Sequence, residues 1–329
     1  MKNLSKENSH ILKSHSLAKN SFGEKLSDVK TAEEIKSKNL AWVHLNADHD
    51  ETEKWLTKKC DYLDSIVIDA LLAEETRPRI MKINDGVFLI LRCVNLNENS
   101  DPEDMISIRM WIDPYRIITV QKRNTKSIDK IEEAIKLGNG PDNSGEFLCM
   151  LLSNIFKYME PTLSSLDEIM DDIEEELIDR PTTDLRSQLL QTRKQAIILR
   201  RYILPQRDVL NSLRHMDLKW INDKQKRRLQ ENHDNNIRYV EDLDAVRERA
   251  QIVKDELSNI LSDKINRNMY VLSVIAAIFL PLGFLTGLLG VNLSGIPGAE
   301  SAKAFFVFSG LLFFLVVIQI FLFKKFKWF

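Results

Sequence analysis

The chain has 329 residues, enough for one large or two ordinary domains, and its 46 basic side chains are balanced by 48 acidic ones. That balance offers no basic excess to draw a nucleic acid. Three cysteines, Cys60, Cys93 and Cys149, stand far apart without a CxxC pair, which argues against a disulfide framework and reads as reduced, buried thiols.

Residues 1–38 are polar and lack periodic apolar positions, so they read as a flexible N-terminal tail. A cytoplasmic mixed α/β domain is expected over 39–141. "AWVHLN" at 41–46 alternates like a strand, and "LDSIVIDALLAEE" at 63–75 has helical spacing. "MKINDGVFLILRCVNLN" at 81–97 is two β-rich runs joined by Asn84-Asp85-Gly86, a hairpin turn. A second hairpin runs through 105–112 and 116–123 about the turn at Asp113-Pro114-Tyr115. A helix over 126–137 stops at Gly138-Asn139-Gly140-Pro141.

From there to residue 268 the pattern is helical and stalk-like. One amphipathic helix is expected over 145–179, interrupted at Pro161, and another over 183–216 with Pro205 inside it. No proline or glycine occurs between Asn222 and Pro281, so a single helix of about 100 Å, at about 1.5 Å per residue, could run through 222–291. Leu243, Val246, Ala250, Val253, Leu257 and Ile260 step by three and four, a helix-packing seam. Two readings of that seam stand: stalk helices gathered about the axis of an oligomer, or one long helix packed inside its own subunit.

Residues 269–292 and 304–323 contain no Asp, Glu, Lys, Arg or His. Each run is long enough to cross a hydrocarbon core roughly 30 Å thick, so they are expected to be two transmembrane helices joined by a short periplasmic loop, 293–303. No signal-like apolar stretch appears near Met1, which keeps the front part in the cytoplasm. Lys324, Lys325 and Lys327 in the basic tail 324–329 place the C-terminus there too, with Trp328 as an interfacial anchor. The chain thus reads as an α+β membrane protein of the bacterial inner membrane with both termini inside.

No GxSxG, P-loop, HExxH or GxGxxG pattern occurs, so nothing points to an enzyme, and no cofactor is called for. His44 and His49, with Asp48 and Asp50 beside them, are a minor zinc-ligand candidate, against a structural histidine in a strand. Seven carboxylates fall in residues 167–176, among them Asp167, Glu168, Asp171, Asp172 and Glu175. On a helix they form either a solvated face or a regulatory cluster that gathers divalent cations.

The first membrane segment carries no Asp, Glu, Lys, Arg, His or Cys, so its helix cannot capture zinc on His or Cys or pass protons along carboxylates or imidazoles. Met269, Leu272, Ala276, Leu280, Gly283, Gly287 and Gly290 recur at spacings of three and four. Such a stripe is a close helix contact through Gly283 and Gly287, or a pore wall in which apolar rings gate by dewetting and bare carbonyls face water beyond them.

At Gly290-Val291-Asn292 the stretch "YVLSVIAAIFLPLGFLTGLLGVNLSGIPG" resembles the end of the first membrane helix and the outer loop of CorA-type divalent-cation transporters. There the tripeptide is Gly-Met-Asn; valine and the following "LSGIPG" are similar to the ZntB zinc-transporter branch. "WVHL", "ETRPRI", "LRCVN", "GPDNSGEFL" and "RRYILPQRDVL" extend the resemblance over most of the chain from about residue 40. It implies a funnel-shaped homopentamer that moves Zn2+ or another divalent cation, its partners being copies of itself, those cations and the lipid bilayer. Asn292 is implied as a ring of amides at the outer mouth, Asn266 as the inner-end asparagine, and Met269, Leu272 and Leu280 as constrictions. Proton-coupled uptake, if the branch's habit holds, must use pore water or groups at the mouths such as Asp263, Arg267 and Glu300. Alternatives are a CorA-like Mg2+, Co2+ or Ni2+ channel and, in another class, a membrane-anchored coiled-coil scaffold or sensor.

Overall fold

Six strands, β1 (Ile11–Ser16), β2 (Ala41–Asn46), β3 (Arg79–Ile83), β4 (Gly86–Cys93), β5 (Ile106–Ile112) and β6 (Arg116–Gln121), form one sheet in the order β1-β2-β6-β5-β4-β3. The computed structural model describes residues 9–74, 77–179, 182–291, 301 and 303–326. Only β2 and β6 run parallel; every other neighbouring pair is antiparallel. Helices cover both faces of the sheet, which is why β4 and β5 are apolar almost throughout instead of alternating.

On one face α1 (Asp28–Lys36), α2 (Asp50–Lys59) and α3 (Ser65–Leu72) bury Ile35, Leu56 and Val67 against Val43, Phe88, Ile90 and Val120. On the other, α4 (Lys126–Lys136), α5 (Ser144–Asp179) and α6 (Thr183–His215) bury Ile131, Phe147, Leu152 and Leu199 against Trp42, Leu89 and Met110. Both expected hairpins form. Asn84 turns the first with φ of 53°, a left-handed conformation that asparagine tolerates. Gly86 follows it because a Cβ there would lie 2.2 Å from the Trp111 ring.

Three expectations need correction. The reading of 1–38 as a flexible tail fails from Ile11 onward: β1 pairs with β2 at the sheet edge, and α1 is capped by Ser27. β1 is short and half polar, so period-two alternation never shows; what holds it is the ladder with β2 and a buried Ser14–Thr31 hydroxyl pair at 2.7 Å. Second, α5 is not interrupted at Pro161. Pro161 and Lys157, the residue four earlier whose carbonyl loses its donor, are both exposed, so water can take that donor's place. Third, no boundary falls at residue 141, because one core joins the sheet to α4, α5, α6 and the start of α7 (Asp223–Leu289).

The chain divides instead into two compact units, Met1–Lys254 and Asp255–Phe329. Within the first, Leu243 and Val246 belong to that same core, and Ala250 and Val253 are also buried. That part of the seam is therefore used inside one subunit and does not by itself argue for an oligomeric stalk. Among the described residues, α7 and α8 (Ala304–Lys325) are the two helices long and apolar enough to cross a membrane.

Candidate functional site

In the unit Asp255–Phe329, the membrane part of α7 has two unlike sides. Val274, Ala277, Ile278, Leu282 and Leu285 lose surface. At about 3.6 residues per turn they share one side of the helix. Gln319 of α8 reaches that side, its Nε2 donating to the Ala277 carbonyl at 3.3 Å. The stripe read from the sequence lies on the opposite side. Met269, Leu272 and Leu280 are 61 %, 68 % and 70 % exposed, left largely uncovered by the described residues of the single chain. Ala276 and Asn266 are exposed as well.

The glycines on this stripe are not there for a contact within the chain. A Cβ added at Gly283 or Gly287 would meet nothing within 4 Å. The close-contact use of this pair therefore has no partner among the described residues, and the bare backbone faces outward. Gly290 has a separate reason: its N–H closes the helix on the Gly287 carbonyl at 3.3 Å, and a Cβ there would sit 2.7 Å from the Thr286 carbonyl oxygen. Val291 follows, partly exposed; Asn292 and Glu300 lie outside the described residues, as do Lys327 and Trp328.

The acidic run is only half free. Arg249 on α7 pairs with Asp167 at 2.8 Å, with Glu174 at 2.8 Å, and with Asp171. Glu168, Asp172 and Glu175 are exposed and have no such ion pair among the described residues. The two histidines are otherwise engaged. His44 is fully buried, its Nδ1 2.7 Å from the Thr119 hydroxyl, and burial pushes its pKa down to about 3. His49 caps α2, its Nδ1 accepting from the Glu51 N–H at 3.1 Å. Among the described residues no group of three His, Cys, Asp or Glu side chains is placed to hold a metal. All three cysteines are free and buried.

A model of CorA-like Mg2+ transporter proteins matches residues 37–325. The chain belongs to this CorA-like family. Among its relatives, the zinc transport protein ZntB of Pectobacterium carotovorum subsp. carotovorum (strain PC1) is 37 % identical over 294 residues, 89 % of each chain. The structure of the full-length CmaX protein superposes with a TM-score of 0.83 at 29 % identity, over 97 % of this chain and 98 % of that one. The fold is also that of the CorA magnesium transporter from Methanocaldococcus jannaschii, with a TM-score of 0.77 at 19 % identity and coverage of 93 % and 95 %.

Several motifs that carry the CorA-like resemblance turn out to be fastenings of the unit Met1–Lys254. In "GPDNSGEFL", Asn143 Oδ1 accepts from the Glu146 N–H at 2.9 Å and from Gln225 Nε2 at 2.7 Å. Gly145 leaves room for the Gln225 amide, and Glu146 pairs with Arg228 at 2.5 Å. In "RRYILPQRDVL", Gln206 Oε1 takes the Arg92 N–H of β4 at 2.7 Å. Trp42 and His44 of "WVHL" share the Thr119 hydroxyl, with Trp42 Nε1 donating at 2.9 Å.

Arg249, Pro281 and Gln319 carry structural roles that the sequence reading passed over. Gln319 left one visible trace, as the single amide side chain in residues 304–323. Arg249 left none, since its partners lie more than seventy residues earlier.

Proposed function

We propose that the protein assembles as a homopentamer in the inner membrane and passes divalent transition-metal cations, zinc foremost, through a central path lined by the exposed stripe of α7. One observation carries this reading. The uncharged stripe from Met269 to Gly287 is left uncovered by the described residues of the single chain, while the opposite side of the same helix meets α8. Lipid suits the bulky exposed side chains Val271, Ile275, Phe279, Phe284 and Leu288 of the same helix; the stripe that ends in Gly283 and Gly287, with backbone left bare, suits a water-filled lumen, and five copies about an axis supply one.

Neutral carbonyls and apolar rings suit an ion that keeps its water, because they neither strip the hydration shell nor bind the metal tightly. Asn292 is assigned the outer mouth and Asn266 the inner one. Both termini are assigned to the cytoplasm on the strength of Lys324 and Lys325 directly after α8. Zinc is favoured by the ZntB relatives and magnesium by the family model, so the ion is the quantity to measure.

The experiment is uptake into liposomes of purified protein with a metal-sensitive dye inside. Zinc and magnesium are tested separately, with and without a pH gradient. Zinc entry that Asn292→Ala abolishes at normal assembly supports the reading. Equal flux in wild type and Asn292→Ala, or no flux of either ion, overturns it in favour of a scaffold or sensor. Entry of magnesium without zinc assigns the channel alternative. Unchanged pH-dependence in Glu300→Gln, Asp263→Asn and their double variant rules out proton coupling through those side chains.

A further inference from the structure

Pro281 lies inside α7 and has no N–H to give. The carbonyl four residues earlier, Ala277 O, therefore loses its helical donor, and in hydrocarbon no water replaces it. Here the donor comes from the other membrane helix, through Gln319 Nε2 at 3.3 Å. The tie is a single bond, since the Gln319 Oε1 is buried without a hydrogen-bond partner among the described residues. Nearby, the Thr286 hydroxyl bonds back to the carbonyls of Leu282 and Gly283, at 2.9 and 3.1 Å, a habit that softens and bends helices. The helix is thus weakest where Leu280 and Gly283 stand on the exposed stripe, and Gln319 fastens it from behind.

We propose that Gln319 is a positioning residue for cation passage. It meets no cation. By supplying the donor that Pro281 withholds, it sets the local bend of α7, and with it the width of the path at Leu280 and Gly283. This rests on the transport reading above and adds a residue on the helix that does not carry the stripe. An amide is required because the group must donate; leucine fills the same space and donates nothing.

The test is a double-mutant cycle on the full-length protein in liposomes with a zinc-sensitive dye, comparing wild type, Gln319→Leu, Pro281→Ala and the double variant. Gln319→Leu is expected to lower the maximal zinc flux by about tenfold, the factor matching one unsatisfied buried carbonyl. The half-saturating zinc concentration stays unchanged, because the outer mouth is untouched. In the Pro281→Ala background the same substitution changes flux by less than about twofold, since the restored N–H at 281 serves Ala277 within the helix. An equal loss in both backgrounds, or wild-type flux in Gln319→Leu, overturns the proposal.

Thermal unfolding of the four proteins in detergent gives a second reading, expected to show the same non-additivity. Gln319→Leu failing to assemble while the double variant assembles supports the tie, and both failing overturns it. If the wild type passes neither zinc nor magnesium, the transport reading fails by itself. The positioning role falls with it, and the unfolding cycle then decides whether the tie between the helices exists.

Discussion

Arg249 holds Glu174 with two parallel hydrogen bonds of 2.8 Å, Nε to Oε1 and Nη2 to Oε2. The same guanidinium reaches Asp167 and Asp171, so one cation on α7 collects three carboxylates of α5. A forked guanidinium suits this because it presents several donors in one plane.

Replacing Arg249 with methionine keeps the stem and removes the charge. The three carboxylates then repel one another, and stability of the folded protein is expected to fall by about 1 kcal/mol, a modest figure because the groups are partly exposed. Millimolar magnesium should restore part of that loss in the variant and do little for the wild type. Thermal unfolding with and without magnesium checks this; no response to magnesium in the variant means the acidic run is an ordinary solvated face.

Leu272 tests the dewetting barrier. Leu272→Asn puts an amide where an apolar ring is assigned, so water should persist there and zinc flux should rise several-fold, with poorer discrimination between zinc and magnesium. Liposome uptake of each ion measures both effects, and unchanged rates place Leu272 away from the constriction.

His44 gives the unit Met1–Lys254 a pH dependence of definite sign. Burial lowers its pKa to about 3 from the ordinary 6.5. The unfolded chain therefore takes up a proton as pH falls through about 6.5, while the folded chain resists until near 3, so the stabilisation is complete above that range and is lost on acidification. The expected slope approaches about 1.4 kcal/mol per pH unit below about pH 6. His44→Gln should flatten it between about pH 6 and 5, above the range where carboxylates dominate, as urea unfolding at each pH will show.

Gly86→Ala is expected to cost about 2 to 3 kcal/mol through overpacking. The new methyl would meet the Trp111 ring at 2.2 Å, and the ring is held by its own Nε1 bond to Asp113 Oδ2 at 3.2 Å. The denaturation midpoint measures it; a shift under a few tenths of a kcal/mol would show that Trp111 can move aside.

The hairpins at 84–86 and 113–115 were legible because turn chemistry and apolar runs are local properties of neighbouring residues. β1 was not, because an edge strand with one apolar end owes its place to the ladder of β2 rather than to its own pattern. The seam from Leu243 to Val253 shows the same limit from the other side. Its spacing announced a packed face correctly but could not say whether the partner was α5 and α6 of the same chain or another subunit.

The amino-acid order alone pointed to the two membrane segments, since a run of twenty residues without charge is long enough to cross a bilayer and needs apolar surroundings along its whole length. It also determined the stripe from Met269 to Gly290, because helical periodicity follows directly from spacing. Only the tertiary structure decided which side of α7 is closed and which is open, that Arg249 gathers three of the seven carboxylates of the acidic run, and that Gln319 serves the carbonyl freed by Pro281. Each of these pairs residues that are thirty or more positions apart, and what brings them together is the packing of whole helices, which no local window of sequence contains.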